Sequence, residues 1–207
     1  MHARKLALTP TEPSMKRLKP CLFALLLAIA PAFAHEPLNI KALTERTVDT
    51  LPDGTLYWRV ENYPDVTAAQ AAAGPWSLVA ETDGKVWLFT LTGDAGAAGK
   101  GALVAQVGPI PRVSAPKYLL RINQASGAPG SETPIHTHPG SEAFFVLRGE
   151  QSIRGPADTL RVRVGQGEAG RGANVPMQVS STGDGDLLAL VMFVVDATKP
   201  FSSPASM

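Results

Sequence analysis

Turn-forming residues interrupt this chain roughly every 8–12 residues, and that spacing limits what it can fold into. "TDG" (82–84), "GDAGAAGKG" (93–101), "GPIPRVSAP" (108–116) and "GDGD" (183–186) separate short runs rich in β-branched and aromatic residues. Among those runs are "LYWRVENY" (56–63), "KVWLFTLT" (85–92), "KYLLRIN" (117–123) and "EAFFVLRG" (142–149). Runs of this length cannot alternate with crossover helices, so a sandwich or barrel is expected, not a parallel α/β sheet. "LLALVMFVVDA" (187–197) is apolar at nearly every position, as expected of a strand buried between two layers. One helix is predicted in "YPDVTAAQAAAGPW" (63–76), started by Pro64-Asp65, favoured by alanine and stopped by Gly74-Pro75.

The N-terminus reads differently. From Met15 the sequence runs through a basic stretch (Lys16, Arg17, Lys19) and an apolar run, Leu22 to Ala30, to Ala32-Phe33-Ala34. That order is the pattern of a secretion signal with a small-residue cleavage site, and the run is too short to span a membrane. Residues 1–34 are therefore expected to be a signal peptide, with Met15 the expected start and a periplasmic or secreted destination. Cys21, the single cysteine, would leave with the signal, and the mature chain would hold no thiolate for catalysis or metal binding. Cleavage also removes five of 19 Lys+Arg and one of 18 Asp+Glu, leaving 14 basic and 17 acidic residues and a net charge of −3. No basic patch for nucleic acid or an anionic membrane is expected, and no stable membrane anchor.

Two of the four histidines stand one residue apart in "GSETPIHTHPGSEAFFVLRG" (130–149). Strand alternation puts His136 and His138 on one face. Pro139-Gly140 is expected to reverse the chain, so that Glu142, starting the next strand, lies across from them. Two imidazole nitrogens and one carboxylate form a donor set that leaves other metal positions open, as in non-haem iron sites. A pair of satisfied polar histidines is the plainer alternative.

The same stretch resembles the first motif of the cupin superfamily, Gly-x5-His-x-His-x3,4-Glu-x6-Gly. Gly130, His136, His138, Glu142 and Gly149 meet every position. The resemblance implies an all-β fold, a cupin jelly-roll β-barrel with a metal in its mouth and an N-terminal strand and helix extension. It covers somewhat less than half the chain, placing the barrel at 113–198 after an extension at 35–112 and before a mobile tail at 199–207. The second cupin motif is degenerate here. In "GQGEAGRGANVPMQVSS" (165–181), Met177 falls where the family has its fourth ligand, a histidine. Gln166, Gly172, Asn174 and Ser181 fall at the lead glycine, the proline, the inner glycine and the terminal asparagine.

Three readings of the site stay open. The site holds one divalent ion, iron or manganese, with Met177 as a distant wall. It takes copper, for which a thioether is acceptable; nickel and zinc also remain open. Or the metal site has decayed and the barrel binds something else. The leading function is an exported, metal-dependent, dioxygenase-like oxidoreductase acting on a small organic molecule in an apolar pocket. The alternative is a non-catalytic small-ligand-binding barrel, and an isomerase or sugar-modifying role ranks third. The resemblance also implies a homodimer as an option.

Other candidates are weaker. "GDAGAAGKG" has Asp94 where a phosphate loop needs its first glycine, and Gly101 where it needs a hydroxyl. No Gly-x-Ser-x-Gly nucleophile elbow is present. His35, the new N-terminus after cleavage, could chelate copper with its own amine, but nothing in the sequence brings it to His136 and His138.

Overall fold

The computed structural model describes residues 36–207. The expected signal peptide and His35 lie outside the described residues. Fourteen strands and one helix follow in order. The first half holds β1 (Asn39–Val48), β2 (Leu56–Tyr63), α1 (Val66–Ala72), β3 (Ser77–Thr82), β4 (Lys85–Thr92), β5 (Ala102–Ile110) and β6 (Tyr118–Gly127). The second half holds β7 (His136–Thr137), β8 (Gly140–Arg148), β9 (Glu150–Arg154), β10 (Thr159–Arg163), β11 (Gly167–Ala169), β12 (Gln178–Ser181), β13 (Leu187–Asp196) and β14 (Ser203–Pro204). The helix starts where the sequence placed it. Asp65 is its N-cap, and its side chain accepts from the Ala68 N–H at 2.8 Å.

A five-stranded antiparallel sheet, ordered β1-β6-β13-β8-β11, is the middle layer. Strand β13 is buried at all ten positions because both of its faces are covered. Leu190, Met192 and Val194 pack into one core with Trp58, Trp87 and Phe89 of the four-stranded sheet β3-β4-β2-β5. Val191, Phe193 and Val195 pack into a second core with Ile153, Val162 and Val179 of the three-stranded sheet β10-β9-β12. Strand β8 alternates in the same way, Ala143 and Phe145 to the first core, Phe144 and Val146 to the second. The middle sheet and the three-stranded sheet enclose the second core, and the functional candidates lie on its side.

Two expected boundaries move. Strand β1, placed by sequence in the extension at 35–112, pairs along its length with β6, from Asn39↔Ser126 to Val48↔Tyr118, and so forms an edge of the barrel sheet. Residues 199–207, expected to be a mobile tail, return to the barrel. Ser203 and Pro204 pair with Thr137 and His136, and the Ala205 N–H donates to the Ile135 carbonyl at 3.1 Å. The reason is apolar: Phe201 packs its ring on Phe193 at 4.9 Å between centroids, an anchor that the polar composition of the tail concealed.

The glycines that frame the histidine motif have a backbone reason to be glycine. Gly130 and Gly149 sit at φ +86° and +74°, in the left-handed region. Gly140 has a spatial one: a Cβ there would strike the Val194 carbonyl oxygen and lie 2.5 Å from Val195 Cα, both backbone atoms of the central strand. Gly140→Ala is expected to destabilise the fold by about 2 kcal/mol or more, since neither strand can yield. Urea unfolding of the variant measures this; a midpoint equal to wild type would contradict the packing described.

Candidate small-molecule and metal site

Between the barrel face of the middle sheet and segments 133–138 and 201–204 lies a cavity of about 350 Å³. Its wall is mostly apolar, with Ile135, Phe144, Val179, Val191, Phe193 and Phe201 prominent. His136, His138, Glu142 and Asn123 supply most of its polar side chains. Alternation brings Glu142 and Phe144 onto the cavity face of β8.

The two histidines meet as strand alternation requires, ring centroids 4.9 Å apart and nearly edge-on at 84°. The expected hairpin at Pro139-Gly140 does not form. Strand β7 pairs with β14, whereas β8 pairs with β13 and β11, so the chain crosses there from one sheet to another. Glu142 nevertheless comes near His138, with His138 Nε2 and Glu142 Oε2 3.9 Å apart. This approach comes from the sheet-to-sheet crossing, not from cross-strand pairing.

Each imidazole is fixed in one tautomer. His136 Nδ1 lies 2.8 Å from the Pro134 carbonyl oxygen and His138 Nδ1 lies 2.6 Å from that of Phe201. A carbonyl only accepts, so both Nδ1 atoms carry the proton and both Nε2 atoms keep a lone pair. His138 is buried, and burial chiefly pushes its pKa down to about 4, against the Phe201 carbonyl and with help from the charges of His136 and Arg121. Glu142 is 2% exposed, and burial pushes its pKa up to about 8, opposed by the backbone N–H and the charge of Arg171. Its Oε1 is buried without a hydrogen-bond partner. Without an ion, then, the His138–Glu142 pair is neutral near pH 7: an unprotonated imidazole beside a protonated carboxyl.

Met177 faces His136 across an antiparallel bridge, with paired backbone hydrogen bonds of 2.8 and 2.9 Å. Its side chain, 1% exposed, belongs to the second core and not to the cavity wall. The donors suit a divalent ion chemically: two Nε2 lone pairs and a carboxylate with an orphaned oxygen. The 3.9 Å between His138 Nε2 and Glu142 Oε2, however, is wider than the roughly 3.0–3.4 Å of two adjacent ligands each about 2.1 Å from one ion. Among the described residues, no three such groups are drawn together closely enough to hold an ion. His136, half-exposed, is the donor that stands apart.

Two contributors were missed by sequence reasoning. Phe201 covers the site, its ring 4.8 Å from that of His138 and its carbonyl on His138 Nδ1. Asn123 lines the cavity from β6. Its signal was present in "KYLLRIN", where Arg121 and Asn123 fall two apart on one face of an otherwise apolar strand.

The described residues form an all-β jelly-roll barrel of the cupin type, with His136, His138 and Glu142 of the Gly130–Gly149 motif on its cavity wall. No family model matches the sequence, and no curated protein matches it significantly. Among solved structures, the chain is similar to a cupin-like protein from Thermotoga maritima at 16% identity and TM-score 0.38, over 42% of this chain and 65% of that one. It is similar to a protein with a double-stranded β-helix domain from Klebsiella pneumoniae at 17% identity and TM-score 0.37, over 42% and 76%. It is also similar to a DMSP lyase from Ruegeria pomeroyi at 23% identity and TM-score 0.36, over 42% and 43%. The chain thus spans less than two thirds of the Thermotoga and Ruegeria proteins.

The two shifted groups predict a pH profile for metal-free protein. Between about pH 4 and 6.5 the unfolded state binds the extra proton at His138, so that residue's contribution rises with pH. Between about pH 4.5 and 8 the folded state holds the extra proton at Glu142, so its contribution falls with pH. The two slopes oppose each other up to about pH 6.5, above which only the fall remains. Thermal melting in chelator is expected to drop from pH 6.5 to 8, and Glu142→Gln is expected to flatten that limb; an unchanged limb in the variant would show that Glu142 is not its source.

Proposed function

We propose that the protein is an exported, metal-binding cupin, a dioxygenase-like oxidoreductase acting on a small organic molecule held in the 350 Å³ cavity. The observation behind this reading is the pairing of two imidazole Nε2 lone pairs with an unpartnered carboxylate oxygen on one wall of an apolar cavity. Buried polar atoms are rarely left without a partner, and an ion supplies one. His136, His138 and Glu142 would hold it, iron or manganese by donor type, with copper, nickel and zinc as further options. Such an ion supplies Lewis acidity and, for iron, redox capacity toward oxygen.

The protein's own groups do the rest. The Pro134 and Phe201 carbonyls hold both rings with Nε2 available. Phe193 and Phe201 exclude water and seat the apolar part of a substrate. Glu142 would have to release its proton to hold an ion, so loading is expected to be favoured by rising pH. Export follows from the sequence of residues 1–34, and a homodimer remains an option.

A second reading has an observation behind it. Met177 lies in the core and no third donor joins His138 and Glu142, the arrangement expected of a barrel that binds a ligand without catalysis. Elemental analysis of purified protein, with Mn(II) titration followed by calorimetry, separates the two. Near-stoichiometric metal, abolished by H136A/H138A, is the outcome expected of the first reading. Protein that takes no metal, yet melts identically after the double substitution, would establish the second. Met177→His is expected to leave metal affinity unchanged and to cost about 1–3 kcal/mol of stability, because it buries an imidazole without a partner. Tighter metal binding in that variant would place residue 177 in the coordination sphere.

A further inference from the structure

The cavity has no cation of its own. None of its lining residues is lysine or arginine, and its one carboxyl is Glu142. The cation nearest to it along the same strand, Arg121, is already engaged. Its Nε donates to Asn123 Oδ1 at 2.9 Å, its Nη1 lies 3.5 Å from Glu45 Oε2, and its guanidinium stacks 4.4 Å over the Phe201 ring. A carboxylate or phosphate entering the metal-free cavity would shed its water against aromatic and aliphatic walls that no lysine or arginine lines, at a heavy desolvation cost.

Asn123 is the exception to the apolar wall. The residue is 2% exposed and lines the cavity. Because Arg121 can only donate, its bond to Oδ1 fixes which end of the amide is which. Nδ2 is left as a donor, and it makes no hydrogen bond among the described residues. An oriented donor on a residue that is 2% exposed, in a wall that is mostly carbon, is a recognition element for a single acceptor atom.

We infer that the cavity selects uncharged, mostly apolar molecules bearing one acceptor oxygen (a ketone, aldehyde, ether or alcohol), and that Asn123 Nδ2 reads that oxygen. This rests on the reading of the cavity as a ligand pocket given above; it does not depend on the metal. Phe193, Phe201 and Val191 hold the carbon skeleton. Arg121 is a positioning residue that fixes the amide without touching the ligand.

Three probes of similar size test it: acetophenone, ethylbenzene and benzoate. Binding is measured by calorimetry or ligand-observed NMR on the protein as purified, and again after chelator treatment. Acetophenone is expected to bind roughly two- to tenfold more tightly than ethylbenzene, the range of one neutral hydrogen bond, with benzoate weakest after chelator treatment. Asn123→Leu is expected to erase the preference for acetophenone over ethylbenzene. Asn123→Asp keeps size and the acceptor for Arg121 while removing the donor, and it is expected to erase the preference too, with an unchanged circular-dichroism spectrum showing that the fold survives. Benzoate binding as tightly as acetophenone after chelator treatment, or a preference that persists in both variants, overturns the inference and leaves the pocket standing. Failure of all three probes to bind overturns the pocket reading along with it, whereas failure of the metal reading appears separately, in the elemental analysis.

Discussion

The structure depends on one strand being dry on both sides. Leu187–Asp196 carries no water-facing position, so it needs cover on each face, and the two covers are different sheets. Burial of this kind is the main favourable contribution to folding, at about 25 cal/mol per Å² of apolar surface. It also fixes register. A slip of one residue along β13 would exchange the set facing Trp58 and Phe89 with the set facing Ile153 and Val179, and the two cores have different shapes. The candidate site inherits that rigidity, because Phe193 and Val191 of its wall come from this strand and Glu142 and Phe144 from the strand beside it.

Within that frame the site is a polar island in an apolar enclosure. Burial acts on both titratable partners, and in opposite senses for acid and base, so each is pushed toward its uncharged form. A neutral imidazole and a neutral carboxyl can be buried together at far lower cost than an ion pair. Under the proposed metal reading, the same pair would become a charged ligand set once a cation balanced the carboxylate. Burial makes the metal-free pair tolerable.

Much of this was legible in the chain before any coordinates. His136, His138 and Glu142 lie close together in sequence and all line the cavity, with alternation accounting for the two histidines and the crossing between sheets for Glu142. The apolar run at 187–197 announced a doubly covered strand. What escaped was set by partners distant in sequence. Pro139-Gly140 has hairpin composition, yet the sheet taking up β8 is built from β13 and β11, so the turn became a crossing. Phe201 sits in a proline- and serine-rich segment whose composition suggests mobility; only the aromatic surface of Phe193 and His138 gives it a place. Asn123 could not be told from a solvated strand residue until the layer covering it was known. Met177 matched a ligand register by alignment, but its side chain turns into the core.

The cavity wall draws on Ile40 from the first strand and Pro204 from the last, with β6, β8, β12 and β13 between them. An occupant would therefore touch strands from both ends of the described chain, and its affinity would be linked to the folding of the barrel as a whole. Because those contacts are distant along the chain, this is also a topology in which closure comes late in folding. A bound compound would in that case act as a clasp on the finished molecule, slowing its turnover by proteases.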